Sequence, residues 1–202
     1  MRIPVSFLSA ALIAAALSVA GCDRSPAPPA EPFQATDITG ADFGTDFHLT
    51  DHTGKPRSMA DFKGKVVALF FGYTHCPDAC PTTMTELKIA LGKLGPQARD
   101  VQVLFVTVDP GRDTPDVLSK YVPAFNPTFL GLSGTAAQLA EAQKAFKIVA
   151  QKVGGEGGGY TVDHSAGTYL FDRQGRLRLF VSYGAGAKVM EHDIRLLLQG
   201  PR

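Results

Sequence analysis

Cysteine is scarce in this sequence. Only three occur in 202 residues, at positions 22, 76 and 80, too few for the several spaced pairs of a disulfide scaffold. An excess of one charge is missing too: the formal net charge is +1, which implies no broad basic surface and no nucleic-acid partner. Beyond the first twenty residues no apolar run is long enough to span a bilayer. There is no internal repeat and no sign of a second core, so one domain from about residue 36 onward is the economical reading. Hydrophobic residues at 45% and charged residues at 19% suit a globular chain and argue against disorder.

What is present begins with a leader. Arg2 supplies a short positive start, residues 8–17 form an Ala-rich apolar run, and Val19-Ala20-Gly21-Cys22 follows. Charge, apolar core and small residues in that order make a signal peptide over 1–21, because the peptidase groove accepts only small side chains. The cysteine directly after the cut resembles a bacterial lipobox. Acylation at Cys22 would tether the protein to a membrane face without a spanning helix. Asp23 resembles an inner-membrane retention signal, which places the expected address at the periplasmic face of the inner membrane. Residues 22–35 then serve as anchor and spacer, since Pro26, Pro28, Pro29 and Pro32 favour extended polyproline II.

The folded part alternates strands and helices. Phe47, Leu49 and the turn Asp51-His52-Thr53-Gly54 predict a leading hairpin strand. Residues 65–73 (KVVALFFGY) and 101–108 (VQVLFVTV) are near-continuous apolar runs, as strands buried on both faces require. Helical spacing predicts helices over 81–94, 114–125, 135–146 and 187–199, with Pro81 well suited to a first turn. A short strand is expected over 129–132, and an antiparallel hairpin over 168–172 and 176–182, joined at Arg173-Gln174-Gly175. The sum is a three-layer α/β domain with a mixed central sheet and an added hairpin.

With Cys22 assigned to the anchor, Cys76 and Cys80 remain, in Tyr73-Thr74-His75-Cys76-Pro77-Asp78-Ala79-Cys80-Pro81. A disulfide closing so short a loop stabilises almost nothing, so the pair is chemical before it is structural. It lies between a buried strand and a helix, where open α/β sheets present reactive groups. Cys80 falls near the helix N-cap, and the positive dipole end there is expected to favour its thiolate. Three residues separate the cysteines, against two in a thioredoxin-type redox pair. A disulfide is feasible, and so is a clamp on one soft metal ion, for which paired sulfurs select copper(I). Of the five histidines, His48, His52 and His192 read as solvated and His75 as pointing away from Cys76. His164 follows the run Gly154-Gly155-Glu156-Gly157-Gly158-Gly159 and, taken alone, reads as a surface loop histidine.

Together these residues resemble the Sco (SenC-like) family of copper-binding assembly factors for cytochrome c oxidase. The likeness rests on Gly72 through Pro81, Val106-Thr107-Val108-Asp109-Pro110, Arg112-Asp113-Thr114-Pro115, Tyr160 through Ser165, and Tyr169-Leu170-Phe171-Asp172. It implies a thioredoxin-like fold over residues 36–202, with Cys76, Cys80 and His164 as the copper ligands and Cys76 and Cys80 as a redox-active disulfide pair. It further implies delivery of copper to the dinuclear copper centre of oxidase subunit II, or reduction of that centre's cysteines. An upstream copper donor and a thiol reductant would then be partners, and the protein a carrier rather than an enzyme. Asp78 and Asp109 belong to the family pattern without a ligand role, Asp109 being expected to order its loop through backbone hydrogen bonds. The rival readings are a periplasmic thiol-disulfide reductase and, by fold analogy alone, a peroxidase, which lacks a resolving cysteine outside the pair. The glycine run is expected to leave His164 on a mobile loop.

Overall fold

The computed structural model describes residues 32–154 and 159–200. The expected signal peptide, Cys22, most of the spacer, and positions 155–158 of the glycine run lie outside the described residues. Among the described residues, no helix is long and apolar enough to cross a membrane.

In chain order the elements are β1 (Thr36–Asp37), β2 (Leu49–Asp51), β3 (Pro56–Arg57), β4 (Val66–Gly72), α1 (Ala79–Leu94), β5 (Val101–Thr107), α2 (Pro115–Phe125), β6 (Leu130–Ser133), α3 (Ala136–Ala145), β7 (Ala150–Gly154), β8 (Tyr160–His164), β9 (Gly167–Phe171), β10 (Leu177–Ser182) and α4 (Ala187–Gln199). Eight strands form one mixed sheet in the order β1-β10-β9-β4-β5-β6-β2-β3. β4, β5 and β6 run parallel, while β9 lies antiparallel to β4.

The centre of the sheet follows from its sequence. Every residue of β4 and β5 is buried, Gln102 and Thr107 included, and strands without an exposed alternate must be covered on both faces. Phe70 and Phe105 sit side by side in register, and Phe105 meets Tyr121 of α2 on one face. Phe71, on the opposite face, packs against Phe146 at the end of α3, and Phe146 reaches on to Tyr169 and Phe171. Helix-borne rings on both faces give the three layers that the alternating pattern predicts. Phe146 is fully buried, so its truncation to Ala would cost on the order of 3–5 kcal/mol.

The helix starts are also legible. The Thr114 hydroxyl accepts from the Val117 N–H, with Pro115 at the first helical position, and Thr135 with Gln138 forms a capping box for α3. α1 begins two residues before Pro81, which falls in the first turn, where a missing N–H has no partner to lose. Just ahead of β1, the fully buried Asp193 carboxylate of α4 accepts from the backbone N–H groups of Gln34 (2.9 Å) and Ala35 (2.8 Å).

The departure from expectation is β7 and β8. They pair antiparallel from Ala150↔His164 to Gly154↔Tyr160 and form a two-stranded sheet of their own. His164 therefore ends a strand and does not sit in a loop. The glycine-rich composition of the preceding segment hid this strand, because glycine carries no β-propensity signal.

Candidate metal centre

Parallel pairing brings the C-terminal ends of β4 and β5 together, with the Val108 N–H donating to the Gly72 carbonyl at 2.8 Å. The segment after β4 carries the cysteines, and the segment after β5 holds it in place. Asp113, 1% exposed, accepts from the Thr74 N–H (3.1 Å), the Thr74 hydroxyl (2.6 Å) and the Thr107 hydroxyl (2.7 Å). Three donors on one buried carboxylate hold Thr74 two residues ahead of Cys76. The Cys80 backbone N–H in turn donates to Cys76 Sγ at 3.4 Å, as expected at a helix start where the first N–H groups have no intrahelical partner.

β8 brings the third donor from the far side. Cys76 Sγ, Cys80 Sγ and a ring nitrogen of His164 lie within 4.8 Å of one another, and the Cys80 Sγ to His164 Nε2 distance is 3.7 Å. His164 Nδ1 lies 3.0 Å from the Ser165 carbonyl oxygen. A carbonyl only accepts, so Nδ1 carries the proton and Nε2 turns its lone pair toward the sulfurs. The ring stands edge-on to Phe70 (6.2 Å) and Tyr73 (5.9 Å). The set opens on a cleft of about 410 Å³ bordered by Pro77, Asp78, Thr161 and Asp163. Two sulfurs and an imidazole with its lone pair aimed inward fit a single soft ion.

Not every expected residue is where sequence placed it. His75 is exposed and meets the Thr74 hydroxyl at 3.1 Å. His48 is solvated, with 72% of its side chain exposed. His52 is not: its Nδ1 accepts from the Gly131 N–H at 3.0 Å. His192 is half-buried and donates from Nε2 to the Pro32 carbonyl at 3.2 Å. Asp78 is exposed and takes the Thr82 and Tyr183 hydroxyls, each at 3.2 Å. Asp109 does order its loop, its carbonyl accepting from the Arg112 and Asp113 N–H groups.

The largest correction concerns Cys80. Its place in the first turn of α1 suggested a stabilised thiolate, yet burial pushes the thiol's pKa far up, outweighing a hydrogen bond with the Tyr73 backbone that lowers it. Cys80 is 0% exposed, so desolvation of the anion exceeds what the helix dipole returns. The metal-free pair therefore holds a neutral Cys80 thiol facing the Nε2 lone pair. Burial raises the Tyr73 hydroxyl's pKa as well.

The SCO1/SenC family model matches residues 35–199. The chain belongs to the SCO1/SenC family. Solved relatives agree with that membership and with the thioredoxin-like fold. Bradyrhizobium japonicum ScoI with copper bound is 39% identical with a TM-score of 0.70, covering 77% of this chain and 98% of that one. Apo Sco1 from Thermus thermophilus is 41% identical with a TM-score of 0.74, covering 85% and 100%. The mitochondrial SCO2 homologue of Danio rerio is 43% identical over 141 residues, 68% of this chain. The match takes in only half of that relative's length.

Sequence reasoning gave Asp113, Arg112 and Tyr160 no task. All three lie in the blocks that carry the family likeness, so the signal was present. What was missing is that a buried carboxylate there faces the backbone of another segment, which no local pattern reveals.

Proposed function

We propose that this SCO1/SenC member is a copper carrier that holds one ion on Cys76, Cys80 and His164. It then delivers the ion to, or prepares, the dinuclear copper centre of cytochrome c oxidase subunit II. The observation that carries this reading is the meeting of three donors drawn from α1, the loop before it and β8, with His164 Nε2 already oriented by the Ser165 carbonyl. Cuprous copper is satisfied by soft sulfur, so the thiolates hold it and a partner's ligands can take it by stepwise exchange. Loading must remove the Cys80 proton, and the cleft beside Cys76 leaves room for an incoming ligand. Joining the two sulfurs as a disulfide would release two protons and two electrons and remove both ligands, so redox state would govern loading. An upstream copper donor and a thiol reductant follow as partners.

The test is copper analysis of the reduced protein after dialysis. One copper per chain is expected, with none held tightly by the disulfide form; equal loading of both forms overturns the reading. A lipid anchor at Cys22 on the periplasmic face of the inner membrane completes it, and Cys22→Ser should abolish acylation and alter membrane fractionation.

One observation favours a thiol-disulfide reductase instead. Cys76 is the partly exposed sulfur and receives the Cys80 N–H, the arrangement of an attacking thiol with a buried resolving partner. His164→Ala separates the two readings: a reductase keeps its activity, while the carrier loses copper(II).

A further inference from the structure

His164 is carried by a hairpin that, among the described residues, shares no strand ladder with the main sheet. An isolated two-stranded hairpin is marginal in water, so its orientation toward the cysteines comes from the chain running into β9 at Gly167 and from side chains. Alternation along β8 puts Tyr160, Val162 and His164 on one face, while Thr161 and Asp163 are exposed. Val162 is buried at 5% exposure and attaches the middle of the strand. The far end is attached to Asp109, two residues past the end of β5 and fully buried. The Tyr160 hydroxyl donates to Asp109 Oδ1 at 2.8 Å, and Arg112 Nε donates to Oδ2. Arg112 Nη1 donates to the Tyr160 carbonyl at 2.9 Å while its guanidinium lies 3.7 Å from the centre of the Tyr160 ring. Lys152 of β7 brings its ammonium to 3.7 Å from Oδ1. The main chain that carries this carboxylate is tied down as well, since the Asp109 N–H donates to the Thr107 hydroxyl at 2.9 Å.

We propose that Asp109, Arg112 and Tyr160 are positioning residues for His164, and that they set how much more tightly the site holds cupric than cuprous copper. The inference rests on the carrier reading above. The Asp109 contacts hold one end of the strand, while Val162 and the passage into β9 hold its middle and its other end; without the first the strand can tilt about the other two. Loosening the Tyr160 end moves His164 relative to the sulfurs and leaves the cysteine loop, held by Asp113, where it was. Copper(I) is satisfied by the two thiolates, whereas copper(II) depends on the imidazole. The loss therefore falls on one oxidation state.

The test is Tyr160→Phe in the full chain, which removes the hydroxyl and keeps the ring under Arg112. Losing a hydrogen bond to a charged group should weaken copper(II) binding by about tenfold and shift its thiolate charge-transfer absorption. Copper(I) affinity should stay within about twofold, since its sulfur ligands are untouched. Arg112→Lys keeps the charge but cannot both grip Asp109 and stack on the ring, so the same pattern is expected. In the metal-free variants, amide exchange over residues 161–165 should quicken by about tenfold, matching the same lost bond. Normal copper uptake with an unchanged ratio of cupric to cuprous affinity overturns this inference alone. Equal losses for both oxidation states also overturn it, since they would mean a general effect on the fold. A wild-type chain that takes up no copper overturns the carrier reading, and this inference falls with it.

Discussion

Raising the pH of the reduced, metal-free protein should destabilise it through one buried thiol. An unfolded cysteine ionises near 8.5. In the folded protein burial pushes the Cys80 thiol well above its ordinary value, at a position 0% exposed. Below about pH 8.5 both states carry the proton, and the group makes no difference. Above it the unfolded chain releases a proton that the folded chain keeps, so unfolding gains and stability falls. The slope is about 1.4 kcal/mol per pH unit, which amounts to about 2 kcal/mol by pH 10 and continues until the folded thiol itself ionises. Other groups titrate in this range, so the measurement is a difference. Urea unfolding with reductant and chelator would be followed from pH 7 to pH 10 for the wild type and for Cys80→Ala. The variant removes the sulfur and adds an offset that does not depend on pH. The two stability curves should converge, or cross, as the pH rises above about 8.5. Parallel curves across the whole range would refute the claim that burial outweighs the helix dipole at this sulfur.

The same thiol has consequences for reactivity and loading. Iodoacetamide at pH 8 should label Cys76 first, with Cys80 slower by on the order of a hundredfold because it is both buried and protonated; peptide mapping of partially labelled protein checks this. Copper(I) affinity measured by competition should fall at least about tenfold for each pH unit between 8 and 6, as protons compete with the ion for the two sulfurs, and a pH-independent constant would contradict it. Gly72→Ala puts a Cβ 2.7 Å from Phe70 Cε1 and 2.9 Å from Cys80 Sγ, so a stability loss of about 1–3 kcal/mol should come with weaker copper binding. Asp113→Ala strands three buried or half-buried donors, at about 1–3 kcal/mol each for the buried ones, and thermal unfolding should show a clear drop in Tm.

Much of this architecture is written locally. The runs 65–73 and 101–108 are apolar at nearly every position, which suffices to make them central strands with helices on both sides. Thr114-Pro115 and Thr135 with Gln138 mark helix starts by their own side-chain chemistry. The spacing of Cys76 and Cys80 between such a strand and such a helix located the chemistry, because that junction is set by neighbours in the chain. What the chain order could not express is distance through space. His164 stands 84 residues from Cys80, and only the docking of β7 and β8 onto the loop after β5 brings its Nε2 to 3.7 Å from that sulfur. Local reasoning also misjudged the Cys80 proton. The helix dipole is a property of neighbouring peptides and can be read from sequence, but desolvation depends on tertiary packing that buries Cys80 completely, with Gly72 of β4 set close against its sulfur. At this site the tertiary effect is the larger one, because a thiolate deprived of water loses more than the first turn of a helix returns.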